Sequence, residues 1–126
     1  MARVLVIDDE PDVRAVIRRF LVAAGHDVSE VGDGAAALGI LAEHATDVIV
    51  SDLYMPGMDG IELARALRKL PSRPAVVAMS GGGLGRQVNL LDIAAELGAA
   101  ATLPKPFTKE QLLGAVQAAL GKGRAP

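Results

Sequence analysis

The feature that most constrains this chain is an alternation: short, unbroken aliphatic runs recur between longer stretches whose apolar residues follow helical spacing. The first cycle shows it. Val4 to Ile7 is a continuous apolar run of the kind that forms a strand buried on both faces. After it, Val13, Val16, Ile17, Phe20 and Leu21 fall at i, i+3, i+4, i+7 and i+8, one face of a helix. Pro11 lies in the first turn of that helix, where a missing N–H costs nothing, and Gly25 marks its end.

The cycle then repeats along the chain. A modest strand over Asp27 to Val31 precedes a helix capped by Asp33 and carrying Leu38 and Leu41. Asp47 to Ser51 reads as a buried strand. It is followed by a loop from Asp52 to Gly60 and a helix with Leu63, Leu67 and Leu70, for which Asp59 and Glu62 have capping spacing. Ala75 to Met79 is the fourth strand, followed by a glycine-rich loop and a helix over Leu90, Ala94 and Leu97. The last cycle is a weak strand from Ala99 to Leu103 and a helix with Leu112, Leu113, Val116 and Leu120, opened by a Thr108–Gln111 capping box. Five βα units predict an α/β fold: a parallel sheet with right-handed crossovers and helices on both faces. They occupy residues 1–120 as one domain and leave 121–126 as a short tail or the start of a linker.

Composition says what fills such a core. Aromatic residues are 2% of the 126 (Phe20, Tyr54 and Phe107), so Val, Ile, Leu and Ala must supply the packing. Cysteine is absent, which removes thiol catalysis, zinc fingers and disulfide frameworks. A net charge of −2 argues against a surface for nucleic acid or anionic lipid. No apolar run approaches the roughly 18 residues of a membrane span, and the N-terminus lacks signal-peptide features. A soluble, cytoplasmic protein is expected.

Ligands of parallel α/β sheets bind at the carboxyl ends of the strands. Asp8 and Asp9 follow the first strand, Asp52 the third, Ser80 the fourth and Lys105 the fifth. Three of them have ordinary explanations: Asp9 as a helix cap, Ser80 as a turn residue, Lys105 as a solvated lysine. Together these explanations fail, because three converging carboxylates repel one another and one lysine only partly offsets them. A hard divalent cation such as Mg2+, which prefers oxygen ligands, meets the need. A carboxylate beside Mg2+ is also a competent nucleophile toward phosphorus, and phosphoryl transfer chiefly requires positioning and charge neutralisation on three oxygens. Mg2+, Lys105 and Ser80 would take one oxygen each.

These motifs make the chain resemble a response-regulator receiver domain of two-component signalling, of the chemotaxis-regulator type. The resemblance runs from Arg3-Val-Leu-Val-Ile-Asp-Asp-Glu10 through Asp52-Leu-Tyr-Met-Pro-Gly-Met-Asp-Gly60 and Met79-Ser80-Gly81 to Lys105-Pro106-Phe107. It implies a flavodoxin-like (βα)5 fold with strand order 2-1-3-4-5. It further implies Asp52 as phosphoacceptor, and Asp9, Asp52 and the Tyr54 backbone carbonyl as direct Mg2+ ligands, with Asp8 acting through water. Ser80 and Lys105 would contact the phosphoryl group, and the Lys105–Pro106 bond would be cis. The implied partners are a sensor histidine kinase or histidine phosphotransfer protein and a downstream protein target, with a phosphorylation-dependent homodimer also allowed. The chain would not be a turnover enzyme. If it is complete, its output is a protein contact made by a single-domain regulator.

One departure concerns readout. The family usually carries an aromatic residue three positions before the lysine, and here that position is Thr102. Transmission is therefore expected through the Ser80-Gly-Gly-Gly-Leu-Gly85 loop and the helix after it. His26 and His44 have no partner at metal-ligand spacing. Arg14, Arg18 and Arg19 read first as a solvated helix face, with docking of a kinase as the alternative. Two other functions remain open: a Mg2+-dependent phosphohydrolase with an aspartyl intermediate, which would want an acid where Tyr54 stands, and a degenerate receiver used only for binding.

Overall fold

A computed structural model describes residues 2–52, 60–70, 73–80 and 98–122. In chain order the elements are β1 (Arg3–Ile7), α1 (Pro11–Ala23), β2 (Asp27–Val31), α2 (Gly34–Glu43), β3 (Val48–Asp52), α3 (Gly60–Arg68), β4 (Ala75–Ser80), β5 (Ala101–Pro104) and α4 (Lys109–Lys122). The five strands form one sheet in the order β2-β1-β3-β4-β5, with every pairing parallel. The helix expected over Leu90, Ala94 and Leu97, the glycine loop and the Asp59 cap lie outside the described residues.

Alternation along the strands divides the core into two layers, because successive side chains point to opposite faces. Val4, Val6, Val28, Val48, Val50, Val77 and Met79 face one way and meet Ile17 and Leu21 of α1 with Leu112, Val116 and Ala119 of α4. Leu5, Ile7, Ile49, Val76 and Ala78 face the other way, onto Ala37 and Leu41 of α2 and Leu63 and Leu67 of α3. Both layers are aliphatic, as the shortage of aromatics requires. Phe20 and Phe107 only pack, half-buried, against the first of them. Each fully buried Val, Leu or Ile is worth about 1.5–3 kcal/mol over the exposed state, so two such layers hold the helices on the sheet.

The helix ends follow local chemistry. Asp33 Oδ1 accepts the Ala36 N–H at 2.7 Å and starts α2. Thr108 and Gln111 bond reciprocally, the Thr108 N–H to Gln111 Oε1 at 2.8 Å and the Gln111 N–H to Thr108 Oγ1 at 3.1 Å. After α1, Gly25 takes φ +93°, a left-handed conformation that side chains disfavour, and its N–H bonds the Val22 carbonyl at 3.0 Å.

Some details differ from the sequence expectation: β3 and β4 each run one residue further, to Asp52 and Ser80. Val16 is 45% exposed, since it lies about 100° around the helix from Ile17, beyond the buried stripe. Asp47 stands below β3, where its carboxylate accepts the Arg3 N–H at 2.8 Å. The last strand runs Ala101–Pro104 and stops at a residue that has no N–H, at the sheet edge where proline is tolerated. The last helix continues past Leu120 through Lys122.

Candidate functional site

The strand register brings the polar residues level. Ile7 pairs with Ser51, so Asp8 emerges beside Asp52; Asp52 pairs with Met79, and Ser80 pairs with Pro104, the residue before Lys105. Asp8 is buried at 0% exposure and Asp52 at 7%. These carboxylates end buried apolar strands, which carry them to the edge of the core and leave them little access to water.

Lys105 joins them. Its ammonium donates to Asp8 Oδ2 at 2.7 Å and to Asp52 Oδ2 at 3.1 Å. Lys105 leaves β5 through a cis bond to Pro106, as the family resemblance implies. Burial is the largest single influence on the ammonium and works against its charge. The hydrogen bond to Asp8 and the charge and hydrogen bond of Asp52, with the charge of Asp8, together outweigh it, so its pKa is held above the ordinary 10.5.

Every polar group of Asp8 is engaged. Its N–H bonds the Val31 carbonyl at 3.2 Å, its Oδ1 accepts the Glu10 N–H at 2.9 Å, and its carbonyl accepts from Arg14 Nη1 at 2.8 Å. Asp9 and Glu10 are exposed. Carboxylate oxygens of Asp8, Asp9 and Glu10 lie within 4.8 Å of one another, a cluster of hard donors that suits a divalent cation of the Mg2+ type.

Of the residues singled out by sequence, Asp8, Asp52 and Lys105 meet directly, and Asp9 stands beside Asp8. Ser80 is the last residue of β4, one place past the strand end read from sequence, but its side chain and the whole of Tyr54 are outside the described residues. Two ordinary explanations are overturned. Asp9 does not cap α1, whose N-cap is Glu10 with no side-chain cap bond, and Lys105 is not a solvated lysine. Two neighbours of Asp8 were not picked out with this group from sequence: Glu10, legible as the third acid of the run, and Arg14, whose bond to the Asp8 carbonyl was not. His26 is structural, its Nδ1 accepting the Ala2 N–H at 3.1 Å.

The family profile of the response regulator receiver domain matches residues 4–117. The chain belongs to the response-regulator receiver domain family. This receiver domain is 38% identical over 119 residues to the response regulator MprA of Mycobacterium sp. (strain KMS), a match that covers 94% of this chain and 50% of MprA. It is 35% identical over 125 residues to the transcriptional regulatory protein KdpE of Mycobacterium tuberculosis (strain H37Rv), covering 99% of this chain and 54% of KdpE. The chain thus spans about half the length of these curated relatives. Among solved structures, the chemotaxis response regulator CheY4 of Vibrio cholerae superposes with a TM-score of 0.81 at 30% identity, covering 94% of this receiver domain and 98% of CheY4. The fold is therefore the flavodoxin-like receiver fold of two-component signalling. Among the described residues, no helix is long and apolar enough to cross a membrane.

Proposed function

We propose that this receiver domain is a phosphoacceptor that takes a phosphoryl group onto Asp52 from the phosphohistidine of a sensor kinase or phosphotransfer protein in the cytoplasm. The observation that carries the reading is the Lys105 ammonium shared between Asp8 and Asp52. In this reading a fixed cation stands against the nucleophile, next to a cluster of carboxylates that could hold a second one.

In the reaction, an Asp52 carboxylate oxygen forms the new O–P bond as the donor's N–P bond breaks, and the imidazole nitrogen keeps the electron pair. An ionised carboxylate needs no general base for this. Lys105, already poised at Asp52 Oδ2, stabilises charge on a phosphoryl oxygen, and Ser80 serves a second one. Asp9 and Asp52, with the Tyr54 carbonyl, would hold Mg2+, and Asp8 would orient its water. Glu10 adds negative charge beside that set. When bound by these residues, Mg2+ would supply charge neutralisation for the transferring phosphoryl group. Residues 1–120 form the receiver unit in this reading, and the phosphorylated state exposes a changed protein-contact surface. Such a domain turns over no external substrate.

Incubation with Mg2+ and acetyl phosphate or phosphoramidate, followed by intact-mass measurement, tests the reading. A gain of one phosphoryl group that is absent in Asp52→Asn and in the presence of EDTA is expected. Rapid turnover of assorted phosphomonoesters would point instead to a phosphohydrolase, and inertness to a receiver used only for binding.

A further inference from the structure

Arg14 is the least expected participant at this end of the sheet. In sequence it belongs to a run with Arg18 and Arg19 on the polar side of α1, and such runs are normally solvated. Here its side chain is only 19% exposed. Nη1 donates to the Asp8 carbonyl at 2.8 Å, while Nε donates to Glu30 Oε1 at 3.3 Å on the neighbouring strand β2. The guanidinium lies against Gly32, where an added Cβ would sit 3.0 Å from Nη1 and press on it. Arg18 reaches the other oxygen of Glu30 at 3.7 Å and is 54% exposed.

We infer that Arg14 is a positioning residue for the cation site, acting through the Asp8–Asp9 peptide. That peptide is planar, so a bond to the Asp8 carbonyl fixes the plane from which Asp9 is suspended. The other groups of Asp8 are held by Val31, Glu10 and Lys105, and Arg14 completes the set. The rigid fork of the guanidinium reaches the carbonyl and Glu30 from two separate nitrogens, Nη1 and Nε, whereas a lysine would have one nitrogen to serve both. Arg14 thus ties β2 to the turn that aims Asp9, and it sets how well the acidic cluster receives Mg2+. This inference rests on the phosphoacceptor reading and deepens it.

The test is the Mg2+ dissociation constant, measured by amide chemical-shift titration of the folded chain, with thermal unfolding alongside. Arg14→Ala is expected to weaken Mg2+ binding about tenfold, in line with the loss of groups that orient metal ligands. Arg14→Lys should fall between it and the parent, and Gly32→Ala, which crowds the guanidinium while keeping its charge, should weaken binding in the same direction by less. Arg18→Ala, which removes a neighbour of Glu30 but nothing from Asp8, should leave the affinity unchanged. At saturating Mg2+ the variants should regain the parent's rate of phosphoryl uptake. If Arg14→Ala and Gly32→Ala lower the melting temperature yet bind Mg2+ like the parent, Arg14 is merely a tie between helix and sheet and the inference is wrong. Should Arg14→Ala fail to fold, Arg14→Lys and Gly32→Ala decide by the same criterion. A parent protein that binds no Mg2+ would overturn the phosphoacceptor reading itself, and this inference with it.

Discussion

The Lys105 ammonium stands 3.1 Å from Oδ2 of Asp52, a residue 53 positions earlier in the chain. Two strands, β3 and β5, deliver these groups from opposite sides of β4, so the contact exists only when the parallel sheet is complete. The site is therefore a report on the fold.

That contact has a pH signature. Because the pKa of Lys105 is raised on folding, its contribution to stability is fully present below the unfolded value of 10.5 and is lost as pH rises through the higher folded value. In EDTA at neutral pH, Lys105→Met should be less stable than the parent by about 1.5–3 kcal/mol, the usual worth of hydrogen bonds to charged groups. Urea unfolding should show this gap constant up to pH 10.5 and narrowing above it. A gap that stays level across the alkaline range would show that the lysine charge contributes nothing.

The clustered oxygens of Asp8, Asp9 and Glu10 make a second prediction. A cation that binds only the folded chain stabilises it by about 2.7 kcal/mol at a hundred times its dissociation constant. Mg2+ should therefore raise the melting temperature, and Asp9→Asn should remove most of the rise while leaving the cation-free protein folded. An equal rise in both proteins would place the cation elsewhere.

The Thr108–Gln111 box holds the start of α4, whose Leu112 is fully buried against the sheet. Loss of such a cap typically costs about 1 kcal/mol. Thr108→Ala and Gln111→Ala should each destabilise by that order, and the double variant by less than their sum, since either change breaks the reciprocal pair. Full additivity in denaturant titrations would mean that the two bonds act independently.

The parts of this fold that were readable from sequence are those set by near neighbours in the chain. Asp33 and Thr108 declare themselves because a cap bonds three residues on, and the strand ends follow from where apolar runs give way to Asp8, Asp52 and Lys105. Arg14 could not be read this way. Its partners, the Asp8 carbonyl and Glu30, come within reach only after β2 pairs with β1, and nothing in its spacing separates it from Arg18. Val16 failed for a geometric reason, since helical spacing defines a stripe and not where the neighbouring helix stops covering it. The pairing of Lys105 with Asp8 was equally hidden, because the sequence shows that charges converge but not which oxygen each one takes.

The most direct measurement asks which atom carries the phosphoryl group. After incubation with Mg2+ and phosphoramidate, the chain is reduced with borohydride, which converts an aspartyl phosphate to homoserine, and its peptides are sequenced by mass spectrometry. The proposed phosphoacceptor role predicts homoserine at position 52 and at no other aspartate. Homoserine at Asp8 or Asp9 with Asp52 unchanged, or a phosphate that survives on a serine or threonine, would contradict it.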